Sequence, residues 1–253
     1  MTMAKKSIHT SCQRAIIQLL ESIQGKYSKW ELWQDFIIMS AVSIANAVNT
    51  LHREQREQLY LDRAKKYSES ELGVFAQMLK EAIEEIERNP EQDLLGELFM
   101  ALGLSNEWKG QFFTPYHICQ MMAAIMLSTD SNDAFAKKGW CSVNDPACGA
   151  GALLIAFANE CRRKSINYQT SVLFVAQDID FLAGCMCYIQ LSLMGCAGYV
   201  VIDDSIKNPA LCYDKNGLIP KDESNVWYTP MYFRDIWELR RLFAQQNLMT
   251  KEY

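Results

Sequence analysis

The sequence predicts an α/β fold preceded by a helical region, and three features support this prediction. Roughly the first hundred residues carry apolar side chains at helical spacing. Beyond Trp140, short β-prone runs alternate with segments of helix length. The order strand, helix, strand, helix, strand is typical of a parallel sheet whose strands are joined by helical crossovers. We therefore expect a helical N-terminal domain over residues 1–108 and an α/β domain over residues 109–253.

The helical region contains three stretches with recognisable helix signals. One of them is "WELWQDFIIMSAVSIANAVNTLHREQREQLYLDRAKKY", which contains neither Pro nor Gly. The second, "SESELGVFAQMLKEAIEEIERNP", opens with a capping box between Ser68 and Glu71 and stops before Pro90. The third, "EQDLLGELFMALGL", predicts a helix that fades at Gly103. These signals predict an all-helical N-terminal region.

The α/β region is predicted from apolar runs of strand length. The strands are "WCSVND", "SVLFVAQD" and "GYVVID", and the helices between them are "GALLIAFANECRR" and "DFLAGCMCYIQLSLMG". Continuous apolar runs fit strands that are buried on both faces of a sheet. The segment after the third strand carries turn formers and predicts no clear strand. A last helix is predicted at "YFRDIWELRRLFAQQ".

Composition and charge narrow the class of protein. No apolar run reaches the roughly 18 to 20 residues of a membrane helix, and we see no signal peptide. The nine cysteines are scattered without Cys-x-x-Cys pairs, which predicts free thiols in a reducing cytoplasm and no metal site. The net charge is −5, whereas proteins that hold DNA alone usually have a basic surface. Contact with nucleic acid is therefore expected to be local or supplied by a partner.

The strongest chemical signal is "VNDPACGAGALLIAF", in which a strand ends at Asp145 and a glycine-containing turn leads into a helix. Doubly wound folds bind nucleotide-like ligands at this point. Gly149 and Gly151 would let the backbone approach a ligand, and the helix N-terminus favours a carboxylate or a phosphate. The spacing is not Gly-x-Gly-x-x-Gly, so the ordinary dinucleotide fingerprint is not met. A bare Gly-x-Gly turn could equally be a tight strand-to-helix connection.

Acidic residues close the next two strands. In "FVAQDID", Asp178 suits hydrogen bonds from ribose hydroxyls, while Asp180 suits the cap of the next helix. In "VIDDSI", Asp203 or Asp204 could accept a hydrogen bond from an adenine amine. The alternative is that these acids cap a turn or a helix, and it would be preferred if the "DD" pair stood alone.

The stretch "GQFFTP" precedes these motifs and places two adjacent aromatic residues before a helix start. Thr114 can cap the following helix and Pro115 suits its first position. Neither role requires Phe112 and Phe113, which need a surface to cover. That surface is either the core or a ligand.

In this order and spacing, "GQFFTP", "DPACGAG", "AQDID" and "DDSI" resemble the adenine-specific DNA methyltransferases. The closest group is the modification subunit of type I restriction–modification systems. The resemblance implies a Rossmann-like domain that binds S-adenosylmethionine, preceded by a helical domain. It implies that the methionine end of the cofactor meets Gln111, Phe112, Phe113, Thr114 and Pro115. Its main cradle would be Asp145, Pro146, Cys148, Gly149 and Gly151, with Asp178 at the ribose and Asp204 at the adenine.

The family's catalytic motif, Asn-Pro-Pro-Phe or Asn-Pro-Pro-Tyr, is missing. Its Asn side chain and backbone carbonyl accept hydrogen bonds from the amine of a flipped adenine, and its aromatic residue stacks on the base. The segment "NPAL" at Asn208 is too close to Asp204 to take this role. The segment "NVWY" is a degenerate candidate, with Asn225 as acceptor and Trp227 or Tyr228 stacking. The alternative is a surface loop whose aromatic residues pack onto the domain.

Three hypotheses follow from these residues. The first is an adenine methyltransferase that acts on DNA with partner chains supplying specificity, and possibly with another chain completing the fold. The second is a catalytically inactive cofactor-binding scaffold or regulatory subunit of a phage or mobile-element system. The third is a methyltransferase for another substrate, which the order of the motifs disfavours. We expect a methyltransferase core that is truncated or remodelled at its C-terminal end, which the second hypothesis explains.

Overall fold

The computed structural model describes residues 10–104, 113–129, 135 and 138–249. Its longer helices before the sheet are α1 (Ser11–Ser22), α2 (Lys29–Val48), α3 (Arg53–Ala64), α4 (Glu69–Arg88), α5 (Leu94–Ala101) and α6 (Tyr116–Thr129). The later helices are α7 (Ala152–Arg163), the short α8 (Tyr168–Ser171), α9 (Phe181–Leu193) and α10 (Asp235–Met249). The strands are β1 (Cys141–Asp145), β2 (Val172–Asp178), β3 (Ala197–Ile202) and β4 (Val226–Tyr228).

The four strands form one sheet in the order β1-β2-β3-β4. The first three strands are parallel, and helices α7 and α9 lie between them in the chain. Strand β2 is buried along six of its seven residues, as a central strand covered on both faces should be. The predicted α/β fold with a helical N-terminal part is therefore confirmed.

Strand β4 corrects the prediction that no strand follows β3. It runs antiparallel to β3, with Val201 opposite Val226 and Tyr199 opposite Tyr228. The Thr229 hydroxyl ends the strand by donating to the Cys196 carbonyl at 2.7 Å. Three residues are too few to show a periodic pattern, and the polar "KDES" before them conceals the strand in the sequence.

Two side chains of β4 anchor the strand on opposite faces of the sheet. Trp227 packs against Tyr188 of α9, with ring centroids 5.5 Å apart. The guanidinium of Arg56 on α3 lies over the Trp227 ring, 4.8 Å from its centroid. Tyr228 stacks on Tyr232 at 4.6 Å on the other face. The contact between Arg56 and Trp227 therefore joins the helical region to the sheet.

The helical region follows the predicted pattern with one break. The capping box of α4 is present, with Ser68 N–H donating to the Glu71 carboxylate at 2.8 Å. The stretch "WELWQ…KKY" divides into α2 and α3, and His52 adopts a left-handed φ of 58° at the junction. No Gly or Pro marks this junction, so the sequence does not reveal it.

A buried carboxylate holds the helices of this region together. Asp35 on α2 is 1% exposed and accepts hydrogen bonds from Lys66 at 3.0 Å and Tyr67 at 2.8 Å. Arg63 on α3 lies 3.2 Å from the same carboxylate. These partners offset the cost of burying the charge. The core is continuous from α2 to the sheet, and the predicted boundary at residue 108 falls outside the described residues.

Among the described helices, none combines the length and the apolar character needed to cross a bilayer.

We predict that Gly96→Ala destabilises the fold while Gly73→Ala does not. Asp93 caps α5 by accepting from the Gly96 N–H at 3.0 Å, and a Cβ at Gly96 would overlap the Asp93 carboxylate. Losing this cap should lower the free energy of unfolding by about 1–2 kcal/mol. Gly73 is the matched control because it lies in α4, where an added Cβ would have no atom within 4 Å. Alanine there should raise stability by up to about 1 kcal/mol. Urea unfolding compares the two, and equal stabilities would contradict the cap assignment.

Candidate cofactor-binding site

The candidate site lies at the edge of the sheet where the parallel strands end. Asp145 of β1 pairs with Ala176 of β2, so Asp178 projects two residues further along the same edge. The loop 146–151 leaves β1 here and leads into the N-terminus of α7. The first strand-to-helix turn and the acid that ends the second strand thus meet at the place where doubly wound folds bind ligands.

Backbone hydrogen bonds attach this loop to β2. The Gly149 N–H donates to Asp178 Oδ2 at 2.8 Å, and the Cys148 N–H donates to the Gln177 carbonyl at 2.9 Å. The other oxygen of Asp178 accepts from the Asp180 N–H at 2.9 Å. Asp180 also caps α9, as the sequence suggests, by accepting from the Ala183 N–H. Asp178 therefore fixes the shape of the loop without a ligand.

The two glycines of the loop are required by close packing against residues that are distant in the sequence. Gly149 has a φ of 54°, and a Cβ there would lie 3.0 Å from the Phe113 ring. Gly151 has a φ of 97°, and a Cβ there would lie 2.9 Å from Cys187 Sγ on α9. Both positions thus need glycine for backbone conformation and close packing. The close approach at Gly151 is to α9, whereas the sequence suggests an approach to the ligand.

A cavity of about 450 Å³ opens at this edge. Its size falls within the roughly 300–1,000 Å³ that is usual for small-molecule sites. The predicted residues that line it are Phe113, Thr114, Asp145, Cys148, Gly149 and Asp178. The structure therefore brings six predicted residues from separate segments of the chain to one cavity.

The other described residues that were predicted to bind the cofactor do not line this cavity. Pro115 lines a neighbouring cavity of about 760 Å³ that also contains Phe113 and Thr114. Pro146 and Gly151 are not among the lining residues of the 450 Å³ cavity. Gln111 and Phe112 lie outside the described residues. Helix α6 begins at Tyr116, so Pro115 comes just before the helix and its carbonyl accepts the Ile118 N–H at 2.9 Å.

Phe113 meets both of the surfaces that its loop was expected to cover. Its ring packs on Phe99 of α5, with centroids 5.3 Å apart, and also lines the cavity beside Gly149. The side chain is therefore part of the core and part of the cavity wall.

Asp204 does not line this cavity. Its carboxylate accepts from the Ile206 and Lys207 N–H groups at 2.9 and 3.2 Å, which closes the turn after β3. These backbone hydrogen bonds hold the pKa of Asp204 below its usual value. These contacts match the alternative in which the acid caps a turn. The role of Asp204 at the adenine stays a prediction.

The structure separates the two candidate catalytic residues. Asn225 lies beside Ile202 at the carboxyl edge of β3, and its amide donates to Asp203 at 2.9 Å. Tyr228 is at the far end of β4, 3% exposed, with its hydroxyl bonded to Glu223 at 2.5 Å. Because β4 is antiparallel, it carries Tyr228 away from the edge that holds the cavity. Their catalytic assignment stays a prediction.

Asp93 is a cavity residue that the sequence analysis does not single out. It lines both cavities and is 3% exposed. Burial raises its pKa to about 6, against the opposing effect of hydrogen bonds from Gln190 and Gly96. The sequence offers one signal, because an Asp before the apolar run "LLGELF" is a typical helix cap. Its burial depends on contacts from α9, which lies far away in the chain.

The cavity is acidic. Asp93, Asp145 and Asp178 line it, and none of its described lining residues is Lys or Arg. Burial also raises the pKa of Asp145. Such a lining favours ligands with cationic groups and hydroxyl donors over polyphosphates. The described residues contain no group of three His, Cys, Asp or Glu side chains that could hold a metal ion.

Together the glycine turn, the two acids that end parallel strands and the cavity beside them define an α/β domain of the class that binds nucleoside-containing cofactors. The sequence pattern of the family described as N-6 DNA methylase matches residues 92–238, which is more than half of the chain. The chain therefore belongs to the N-6 DNA methylase family. Membership implies S-adenosylmethionine as the cofactor. The cavity fits this molecule, because an acidic lining suits its sulfonium and ammonium charges.

A solved structure from Listeria monocytogenes, described as a putative class I S-adenosylmethionine-dependent methyltransferase, is similar at 15% identity with a TM-score of 0.43. The match covers 79% of this chain and 56% of that chain. This chain thus spans little more than half of the length of that protein. A comparison with curated proteins gave no match.

We predict that Asp93 makes stability fall as the pH rises. A pKa raised from 3.8 to about 6 means that the folded chain binds a proton which the unfolded chain has lost. The contribution of Asp93 to the free energy of unfolding should therefore be largest below about pH 4 and decrease by about 3 kcal/mol on the way to pH 6.5. Asp93→Asn keeps an acceptor and removes the titration. Urea unfolding of both proteins from pH 4 to 7 isolates the effect, and a constant difference between them would contradict it.

Proposed function

We propose that this chain binds S-adenosylmethionine in the 450 Å³ cavity at the carboxyl edge of β1 and β2. The observation that carries the proposal is the convergence of Phe113, Asp145, Gly149 and Asp178 on that cavity. The bound cofactor would supply an electrophilic methyl group on a sulfonium. The rest of the proposal concerns what the residues of this chain do around it.

Each wall of the cavity suits a different part of the cofactor. Asp178 has free lone pairs beyond its two backbone partners and would accept from the ribose hydroxyls. Asp145 would receive a cationic group, and that group would lower the pKa that burial raises. Phe113 and Thr114 would close the methionine end, and the N-terminus of α7 would favour its carboxylate. The loop needs little rearrangement because its hydrogen bonds to β2 already fix it.

Methyl transfer to adenine needs acceptors for the exocyclic amine, and we propose that a second chain supplies them. Asn225 already donates to Asp203, and Tyr228 is buried among Tyr199 and Tyr232. Tyr228 is therefore not free to stack on a flipped base, and the backbone carbonyl of Asn225 already accepts from the Ile202 N–H at 3.0 Å. These contacts favour the hypothesis that this chain alone holds the cofactor without transferring its methyl group.

The second candidate function is a cofactor-binding scaffold or regulatory subunit that never transfers a methyl group, in a phage or mobile-element system. The same observations on Asn225 and Tyr228 favour it. In either case we propose that partner specificity chains bind the DNA, as in the modification subunits of type I restriction–modification systems. The net charge of −5 favours this, because a protein that binds DNA alone usually has a basic surface. The nine cysteines, all within the described residues, form no disulfide, which supports a cytoplasmic location.

We predict that the purified chain binds S-adenosylmethionine and its demethylated product, and that Asp178→Ala weakens both at least about tenfold. Isothermal titration calorimetry measures the affinities. Asp222→Ala is the matched control, because this exposed aspartate bonds only within its own turn and lies outside the cavity. Absence of heat with either ligand for the wild-type chain would contradict the proposal.

A transfer assay tests whether methyl transfer needs more than this chain. With duplex DNA and radiolabelled cofactor, the chain alone should leave adenine unlabelled. Clear labelling would show that this chain supplies its own acceptors, and the proposal of a second chain would then be wrong.

A further inference from the structure

Arg56 on α3 carries a buried positive charge that no described acidic side chain pairs with. The residue is 5% exposed, and its Nη1 has no hydrogen-bond acceptor within the described part of the chain. Its Nη2 donates to the Val226 carbonyl at 3.3 Å, which is a long contact to a neutral group. The guanidinium also lies over the Trp227 ring. Neither contact supplies a full negative charge.

The ionisable group beside Arg56 does not balance this charge. Burial lowers the pKa of Arg56, and the phenol of Tyr188 opposes that effect. Burial raises the pKa of Tyr188, so the phenol stays neutral. Arg63 on the same helix differs, because it lies 3.2 Å from the buried carboxylate of Asp35. Buried charges in proteins are usually paired, since burying one alone is costly. The guanidinium of Arg56 is therefore suited to an anionic ligand.

A cavity of about 180 Å³, which we call the Arg56 cavity, opens beside this side chain. It lies between the first turn of α3 and the end of β3, and its lining includes Arg56, Phe181, Ile202 and Trp227. None of its described lining residues is Asp or Glu, whereas three aspartates line the cofactor cavity. The volume is below the roughly 300–1,000 Å³ of sites for drug-sized molecules. The Arg56 cavity therefore suits one small anionic group.

The N-terminal turn of α3 borders the same cavity. His52 precedes the helix with a φ of 58°, and no side chain caps the helix there. His52 Nε2 donates to the Glu223 carbonyl at 3.0 Å, which holds the start of α3 against the loop before β4. His52 and Gln55 both line the Arg56 cavity. An uncapped helix N-terminus attracts anions through its N–H groups and its dipole. Two independent features thus favour negative charge at one place.

We propose that the Arg56 cavity binds a phosphate group, held by the Arg56 guanidinium and the N-terminus of α3. The guanidinium and the backbone N–H groups are separate sets of donors. A phosphate accepts from both at once, because its oxygens are arranged tetrahedrally. A carboxylate has two oxygens, which a single guanidinium fork already occupies. The phosphate is therefore the better match for this combination of donors.

The phosphate would lie close to the cofactor cavity without sharing its lining. Ile179 lines the cofactor cavity, and Phe181, two residues further along the chain, lines the Arg56 cavity. Because the Arg56 cavity is small, the remainder of a larger ligand would stay outside it. The phosphate group can therefore belong to free phosphate or to the backbone of a nucleic acid strand. This site is separate from the proposed cofactor site and does not depend on it.

Equilibrium dialysis of the purified chain with radiolabelled inorganic phosphate tests the proposal, and we expect saturable binding. Arg56→Met keeps an apolar side chain and removes the charge. It should weaken binding at least about tenfold, because charge-assisted hydrogen bonds are lost. Arg56→Lys keeps the charge without the planar fork and should fall between the two. Arg53→Met is the matched control, since Arg53 is exposed on the same helix and outside the cavity lining. The same loss of charge there should change the affinity less than about twofold, because exposed charges are screened.

Competition distinguishes the two sources of the phosphate group. Thymidylyl-thymidine carries a single phosphodiester, and its displacement of the labelled phosphate would identify a nucleic acid strand as the source. Phosphate binding that this dinucleotide leaves intact would identify free phosphate. Acetate that displaces phosphate equally well would overturn the assignment to phosphate. Absent phosphate binding, or an equal loss in Arg53→Met and Arg56→Met, would overturn the site.

A measurement on the unmodified chain avoids any dependence on the folding of the variants. Phosphate should slow hydrogen–deuterium exchange in the segments 53–56 and 224–227, relative to chloride at equal ionic strength. Unchanged exchange in both segments would contradict the site. Arg56 lies outside the cofactor cavity, so Arg56→Met should bind S-adenosylmethionine like the wild-type chain. Absent cofactor binding with intact phosphate binding would refute the proposed function alone.

Discussion

The side-chain amide of Gln190 is the interaction on which the site depends. Its nitrogen donates to the Asp93 carboxylate and to the Ala150 carbonyl, both at 2.8 Å, and its oxygen accepts from the Leu95 N–H at 3.1 Å. Gln190 is 1% exposed, so each of these bonds lies away from water. One residue of α9 thus fixes the start of α5 and the glycine loop relative to each other. Leaving these buried groups unpaired would cost about 1–3 kcal/mol each.

A second buried amide repeats this arrangement. Asn159 of α7 donates to the Pro90 carbonyl at 2.7 Å and to the Tyr116 hydroxyl at 3.1 Å. It joins the helix after the glycine loop to the segment before α5 and to the start of α6. The cavity is therefore assembled from distant segments by polar contacts inside the core. Such contacts specify one arrangement of the helices more strongly than apolar packing does, because an unpaired amide is costly.

The sequence predicts those parts of the fold whose cause is local. The three parallel strands follow from apolar runs, the start of α4 from the Ser68 and Glu71 capping box, and the acidic edge from Asp145 and Asp178 at strand ends. The rest depends on distant partners. The burial of Asp93 requires α9, and the glycine at position 151 is explained by Cys187, which lies beyond the next strand in the chain. Strand β4 has too few residues to leave a periodic pattern.

Strand β4 also explains why the two candidate catalytic residues are engaged in contacts of their own, whereas the cofactor cavity is open. Its antiparallel direction ties Asn225 to Asp203 and buries Tyr228 among other tyrosines. The edge beyond β3 is thereby closed, while the edge beyond β1 stays open next to the cavity within the described part of the chain.

Hydrogen–deuterium exchange with and without S-adenosylhomocysteine tests the location of the cofactor site most directly. If the account is right, the ligand will slow exchange in the segments 145–151 and 176–180, which surround the cavity. Exchange in β4 should stay unchanged, because this strand lies on the far side of β3. Protection confined to β4 and the turn after β3, or no protection anywhere at saturating ligand, would contradict the account.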